Sequence, residues 1–380
     1  MGITLTDEQQ AFLEAVRGFA ARECGTREQR DALTDHGAHA HSPELYRKVA
    51  ELGWLGIAVP QEYGGFGGSA VDLCLFLEQI AYGMIPIAGF TISAITAGPY
   101  EKFGSGEQKQ AILGSLVDGA VHAIAMSEPE AGSDVGSLQC RAQRSNGGFV
   151  LNGQKTWCSE AHVADTILVV ARTDRSGSKH EGLSMFCVPV TSEGLDIRPI
   201  PTMGGKIVND IFLTDCQLPE DAVVGQVDKA WMQLMAGLNL ERLIIAAGSL
   251  GQARRAFDDT LAYVKERKQF GRPIGSFQTI KHRLADLATE IELVRLLTYD
   301  VAAKVDADPS AMFPREASMA KLKATEVAKR VALEGMQMMG GYGYASEYDM
   351  EGHVRRNLVG TIVGGTSEIQ RDVIAMTYGL

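Results

Sequence analysis

Apolar residues at helical spacing open the chain. Phe12, Leu13, Val16 and Phe19 follow Thr6-Asp-Glu-Gln9, whose hydroxyl and amide side chains stand three residues apart as in a capping box, so an amphipathic helix is expected. A second helical segment runs from Glu44 to Leu52 and stops at Gly53. Pro60-Gln-Glu-Tyr-Gly-Gly-Phe-Gly-Gly68 then makes a glycine-rich turn. Such a run can cradle a phosphate, but with no Lys-Ser/Thr after it a plain loop is the simpler reading. From Ala70 to about Leu116 the pattern is helical again, with Leu73, Leu75, Ile80 and Ala81 as core positions.

Near Val121 the period shortens. Gly148-Phe-Val-Leu, Thr166-Ile-Leu-Val-Val-Ala171, Ser184-Met-Phe-Cys-Val-Pro-Val190 and Asp210-Ile-Phe-Leu213 read as strands, with Asn146-Gly-Gly148, Asn152-Gly153 and Asp174-Arg-Ser-Gly177 as turns between them. Beyond Lys229 long helices return. One stripe holds Leu243, Ala247, Leu250, Phe257, Leu261 and Val264, another Ile280, Leu284, Leu287, Ile291, Val294 and Val301, and a third Ala320, Ala324, Val327 and Val331. Phe270-Gly-Arg-Pro-Ile274 must connect the first two, because Gly271 and Pro273 break the period. The expected class is α+β: a helical domain over 1–120, a β-barrel or sandwich domain over 121–228, and a C-terminal four-helix bundle over 229–380.

The bulk properties narrow the function. A net charge of −11 over 380 residues leaves no basic block to neutralise nucleic-acid phosphates. Cys24, Cys74, Cys140, Cys158, Cys187 and Cys216 are scattered outside metal-ligand spacing, so neither a disulfide framework nor a metal site is expected. With no leader-like start and no apolar run expected to reach membrane-spanning length, the chain reads as cytoplasmic.

Three stretches carry candidate chemistry. In Thr361-Ile-Val-Gly-Gly-Thr-Ser-Glu-Ile-Gln-Arg371, Gly364 and Gly365 can take positive φ and aim two N–H groups at a ligand, with Thr366 and Glu368 beside them. A plain loop and N-cap for a helix from Glu368 fits the same residues. In Ala125-Met-Ser-Glu-Pro-Glu-Ala-Gly-Ser-Asp134, the hydroxyls of Ser127 and Ser133 flank a turn with Gly132 at its sharp point, which suits either an anion or ordinary capping. Lys155-Thr-Trp-Cys-Ser159 would set the Trp157 indole and the Ser159 hydroxyl on one strand face, a match for a flat ring with a polar edge; a core tryptophan is the other reading.

Taken together these stretches resemble the acyl-CoA dehydrogenases, flavoproteins that oxidise acyl thioesters. The resemblance runs from Leu5-Thr-Asp-Glu-Gln through Pro60-Gln-Glu-Tyr-Gly-Gly65 to the C-terminal motif. Met126-Ser-Glu-Pro-Glu-Ala-Gly-Ser-Asp134 is its most specific part, and Glu266-Arg-Lys-Gln-Phe-Gly-Arg-Pro-Ile274 and Gln337-Met-Met-Gly-Gly341 also match. The resemblance implies FAD. Met126, Ser127, Gly132, Ser133, Trp157, Cys158 and Ser159 would line the flavin, with Ser133 also near the substrate's pantetheine arm. Arg267, Gln269, Phe270, Ile274, Gln278, Gln337 and Gly341 would serve the pyrophosphate and adenosine of a neighbouring subunit's FAD, and Thr366 and Glu368 would hold the nucleotide. It further implies a homotetramer built as a dimer of dimers, an acyl-CoA substrate met by Ser133, Asn239 and Arg242, and an electron-transfer flavoprotein as acceptor.

The implied reaction removes an α-proton while a hydride leaves the β-carbon, so it needs a carboxylate base and donors to the thioester oxygen. Many family members carry that Glu directly before the Gly-Thr of the C-terminal motif, where this chain has Gly364. An isovaleryl- and long-chain-type subset carries it in a Leu-Glu-Arg motif, and Leu240-Glu241-Arg242 matches. Glu241 is therefore the expected base; a solvated glutamate in the first turns of a helix is the competing reading. The Gly364 N–H would still serve the thioester oxygen, and its missing side chain would leave space for a branched or bulky acyl group. Gly352, Arg356 and Glu160 depart from the family pattern, Glu160 being expected to face solvent. A silent flavin-binding subunit of a hetero-oligomer, a flavin oxidase or monooxygenase, and a carrier-protein thioester dehydrogenase are the alternatives on the same fold.

Overall fold

A computed structural model describes residues 4–380, apart from the side chain of Ala236. In chain order the helices are α1 (Asp7–Cys24), α2 (Arg27–Thr34), α3 (Pro43–Glu51), α4 (Ala70–Tyr82), α5 (Ala88–Phe103) and α6 (Gly106–Val117). The strands β1 (His122–Ala125), β2 (Arg141–Ser145), β3 (Gly148–Ser159), β4 (Thr166–Arg172), β5 (Leu183–Pro189), β6 (Leu195–Thr202), β7 (Gly205–Pro219) and β8 (Val223–Val224) come next. After them run α7 (Ala230–Glu266), a ribbon of β9 (Lys268–Gln269) and β10 (Arg272–Pro273), α8 (Gln278–Ala307), α9 (Pro314–Met339), α10 (Gly341–Tyr344), α11 (Met350–Leu358) and α12 (Ser367–Met376).

Two compact bodies interleave along the chain, one of 1–32, 69–85 and 239–380, the other of 33–68 and 86–238. In the first, the capping box at Thr6 is present, Thr6 Oγ1 accepting from the Gln9 backbone while Gln9 Oε1 accepts from Thr6 N. Leu13, Val16 and Phe19 are buried along α1, and Leu284, Leu287, Ile291, Val294 and Val301 form the buried stripe of α8. A buried carboxylate on α4, Glu78, accepts from Arg254 and from the Tyr299 hydroxyl, so an α4 charge is satisfied by α7 and α8. The connector between α7 and α8 is the expected break: Phe270 has φ 51 and Gly271 φ 79 at the tip of the β9–β10 ribbon.

The second body is built on eight hydrogen-bonded strands in the order β6-β7-β3-β2-β4-β5-β8, with β1 parallel to β4. Ile167 to Ala171 are all buried in β4, which explains its unbroken apolar run. The Asn146-Gly147 turn closes β2 and β3, but Asn152-Gly153 is no turn. It is a bulge inside β3, where Asn152 pairs by its side chain with Asp215 and Gly153 takes φ 148 against Cys140. β1, β2, β6 and β8 are strands the sequence pattern did not mark; β6, mostly exposed and carrying two prolines, lacks an alternating apolar face.

The expectation on apolar length also needs correcting. α7 has 37 residues and by length and composition could cross a membrane, yet 59% of its most apolar window is buried within the protein. A core helix of a globular body meets the same test.

Candidate active site

In the sheet body, the 126–134 stretch is folded by a buried ion pair. Lys155, wholly buried on β3, donates from Nζ to Glu128 Oε1 at 2.7 Å and to the Met126 carbonyl at 3.0 Å. Glu128 also accepts from the backbone N–H of Gln139 (2.6 Å) and Cys140 (2.8 Å). Both of its oxygens are thus hydrogen-bonded, as a buried carboxylate requires. The sharp turn lies earlier than expected: Glu128 and Ala131 exchange backbone hydrogen bonds around Pro129 and Glu130, and Gly132 follows, open and without positive φ. Ser127 O accepts from Thr156 N at 2.9 Å, which fixes this turn to the end of β3.

That end of β3 is irregular. Register slips between Lys155 and Cys158, and Trp157 sits at φ 58 with its side chain 58% exposed. The slip turns the indole outward and Cys158 inward, with Ser159 half-buried. The Cys158 thiol donates to Ile124 O, and burial pushes its pKa up to about 12, so this predicted cofactor residue has no side chain to offer a ligand. The hydroxyls of Ser127, Ser133 and Ser159 have no protein partner among the described residues. An open indole with unpartnered hydroxyls nearby in the chain fits a flavin ring. Glu160 contradicts its expectation: it is 1% exposed, both carboxylate oxygens lack a partner among the described residues, and burial raises its pKa to about 8. Its φ of 55 at the end of β3 turns it inward.

In the helical body, Gly364 (φ 60) and Gly365 (φ 81) take the left-handed conformation expected of them, and neither N–H has a backbone partner among the described residues. Thr366 caps α12, its hydroxyl accepting from Ile369 N, and Glu368 is exposed in the first turn, so for these two residues the capping reading is realised. Glu241 does not lie in the first turns of its helix; α7 starts at Ala230. A Cβ placed on Gly364 would lie 3.5 Å from Glu241 Oε1 and 2.2 Å from Ile245 Cδ1. The carboxylate therefore faces the position where a Glu at 364 would begin. The space expected there for a bulky acyl group is filled by Ile245. Burial raises the Glu241 pKa, while Arg242 and Lys321 pull it down. Asn239 and Arg242 are 8% and 7% exposed, and Asn239 Oδ1 has no partner among the described residues.

Two residues that the sequence reading missed hold the glycine loop. Lys321, wholly buried on α9, donates to Gly360 O at 2.9 Å and Gly365 O at 2.8 Å. Gln370 Nε2 donates to Gly364 O at 2.9 Å and Gly365 O at 3.1 Å. The one legible signal was a lysine among the small uncharged residues Ala317, Ser318, Ala324 and Thr325 of one helical face.

A separate cavity of about 530 Å³ in the same body is lined by Tyr263, Arg267, Gln269, Ile274, Gly341 and Tyr342, among others. It brings together four of the residues expected around a pyrophosphate and adenosine, and Arg267 stacks on Tyr342 at 5.3 Å. Gln278 and Gln337 are exposed outside this lining, and Phe270 is 93% exposed at the ribbon tip. The departures Gly352 and Arg356 are one turn apart on α11, where the missing Cβ gives the guanidinium room at 3.4 Å.

Family models match three successive segments: acyl-CoA dehydrogenase N-terminal domain over 6–120, middle domain over 123–216 and C-terminal domain over 228–379. The chain belongs to the acyl-CoA dehydrogenase family and is an oxidoreductase. It is 37% identical to a probable acyl-CoA dehydrogenase of Bacillus subtilis, covering 99% of both chains. To the mitochondrial isovaleryl-CoA dehydrogenase of Solanum tuberosum it is 36% identical, over 97% of this chain and 90% of that one. The solved structure of an acyl-CoA dehydrogenase from Geobacillus kaustophilus superposes with a TM-score of 0.94 at 31% identity, over the full length of both.

Proposed function

We propose that this protein oxidises an acyl-CoA thioester to the trans-2-enoyl-CoA, with Glu241 as the base that takes the α-proton. The observation that carries the reading is the approach of Glu241 Oε1 to within 3.5 Å of where a side chain at Gly364 would start. The carboxylate is supplied from α7 to the place the common family base would occupy from the loop. Burial favours its neutral form and so makes it a stronger base than a solvated glutamate, while Arg242 and Lys321 keep the charged form accessible.

The Gly364 N–H donates to the thioester oxygen, where enolate-like charge develops. The cofactor is FAD, which when bound supplies the hydride acceptor. Trp157, Ser127, Ser133 and Ser159 would hold its ring, and the Arg267 cavity of a second copy would hold its pyrophosphate, a planar guanidinium being suited to phosphate oxygens. That arrangement requires a homo-oligomer, taken here as a tetramer, and an electron-transfer flavoprotein removes the electrons.

The test is anaerobic bleaching of the bound flavin's visible absorbance by short, branched, long and steroid-derived acyl-CoAs, in wild type and Glu241→Gln. Wild type is expected to bleach with one class, and the variant at least about 10²-fold more slowly. Equal bleaching by both would reject Glu241 as base. Bleaching by no thioester would favour a flavin-binding subunit without this chemistry.

A further inference from the structure

We infer that Lys321 is a positioning residue for proton abstraction: its ammonium pins both ends of the Gly360–Gly365 loop beside Glu241 and adds a positive charge that favours the carboxylate. The inference rests on the reading of Glu241 as base. A lysine with no exposed surface is costly, and its neighbours one turn away on α9, Ala317, Ser318, Ala324 and Thr325, are small, buried and uncharged, so this face packs without a cation. Packing therefore does not account for it. Its two hydrogen bonds go to carbonyls five residues apart, bracketing Val363 and Gly364. With Gln370 on Gly364 O and Gly365 O, the loop is held from both sides while the Gly364 N–H is left unspent.

The charge argument is reciprocal. Lys321 lowers the pKa of Glu241, and Glu241 raises that of Lys321. Four charged groups act on Lys321: Glu241 and Arg242 from α7, Glu326 on its own helix, and Glu368 from α12. Burial is the largest influence and brings the ammonium down to about 8, within reach of ordinary assay conditions. Burial raises the pKa of Glu241, and the Lys321 cation, with Arg242, opposes that rise. Once Glu241 has taken the α-proton, the attraction ends, so each turnover changes the charge facing Lys321.

Two measurements test this. In Lys321→Met holoenzyme, the acid limb of the flavin-reduction rate is expected to move to higher pH by about one unit, and in Lys321→Arg to stay where it is in wild type. A Met variant whose limb coincides with that of wild type overturns the inference. To stay independent of the folding of the Met variant, the second measurement uses [ε-¹³C]lysine NMR on intact wild-type and Glu241→Gln holoenzymes, the Lys321 signal being assigned by its absence in Lys321→Arg. The Lys321 midpoint is expected to fall when Glu241 is neutralised; an unchanged midpoint overturns the coupling. Failure of the base assignment shows separately, as bleaching by Glu241→Gln at the wild-type rate.

Discussion

Ile245 and Gly364 exclude a side chain between them: Ile245 Cδ1 lies 2.2 Å from where a Cβ at 364 would be. Ile245 is one helical turn beyond Glu241 on α7, so the helix that carries the carboxylate also fills the place of the missing loop side chain.

Gly364→Ala should therefore destabilise the protein by roughly 1–3 kcal/mol, from positive φ and from overlap. Adding Ile245→Ala removes the overlap but not the backbone cost. A double-mutant cycle by denaturant unfolding should show a favourable coupling energy. Strict additivity would mean that the two residues do not meet.

The pH dependence follows from the direction of the Glu241 shift. The base works ionised, so the reduction rate rises as pH passes upward through its pKa, which burial places above 4.5. Stopped-flow reduction of bound flavin should give an acid limb with its midpoint above 4.5. A limb at or below that value contradicts the buried setting.

Glu128 and Lys155 should behave as a buried pair. Breaking it with Glu128→Gln or Lys155→Met leaves one charge without its partner and should cost about 3–5 kcal/mol, read by chemical denaturation. The paired change Glu128→Leu with Lys155→Met should recover much of that loss. Flavin affinity, measured by fluorescence on reconstitution, should remain weak in the double variant, because Met126 O and the 139–140 backbone lose their anchors.

Glu160 should make stability fall as pH rises. Its folded-state pKa of about 8 lies above the ordinary glutamate value of 4.5, so the fold carries no penalty below pH 4.5 and the full penalty above pH 8. Glu160→Gln is expected to raise stability at pH 9 by roughly 2–4 kcal/mol and to change little at pH 4.5. Thermal unfolding of both proteins across that range would show it, and parallel curves would refute it.

Local chemistry made much of this protein legible in its sequence. The Thr6 to Gln9 capping box, the buried stripe of α8, the break at Gly271 and Pro273, and the positive φ of Gly364 and Gly365 are properties of neighbouring residues and survive folding unchanged. The family motifs likewise placed Arg267, Gln269, Ile274 and Gly341, which meet around one cavity. Tertiary structure decided what depends on residues far apart in the chain. It turned Cys158 and Glu160 inward through a register slip and a left-handed residue, set Ile245 where a side-chain space was expected, and spent a lysine from α9 on carbonyls of the 360–365 loop. Periodicity reports which face of an element is apolar, but a buried charge is placed by its partners, and those partners are fixed only when the elements pack.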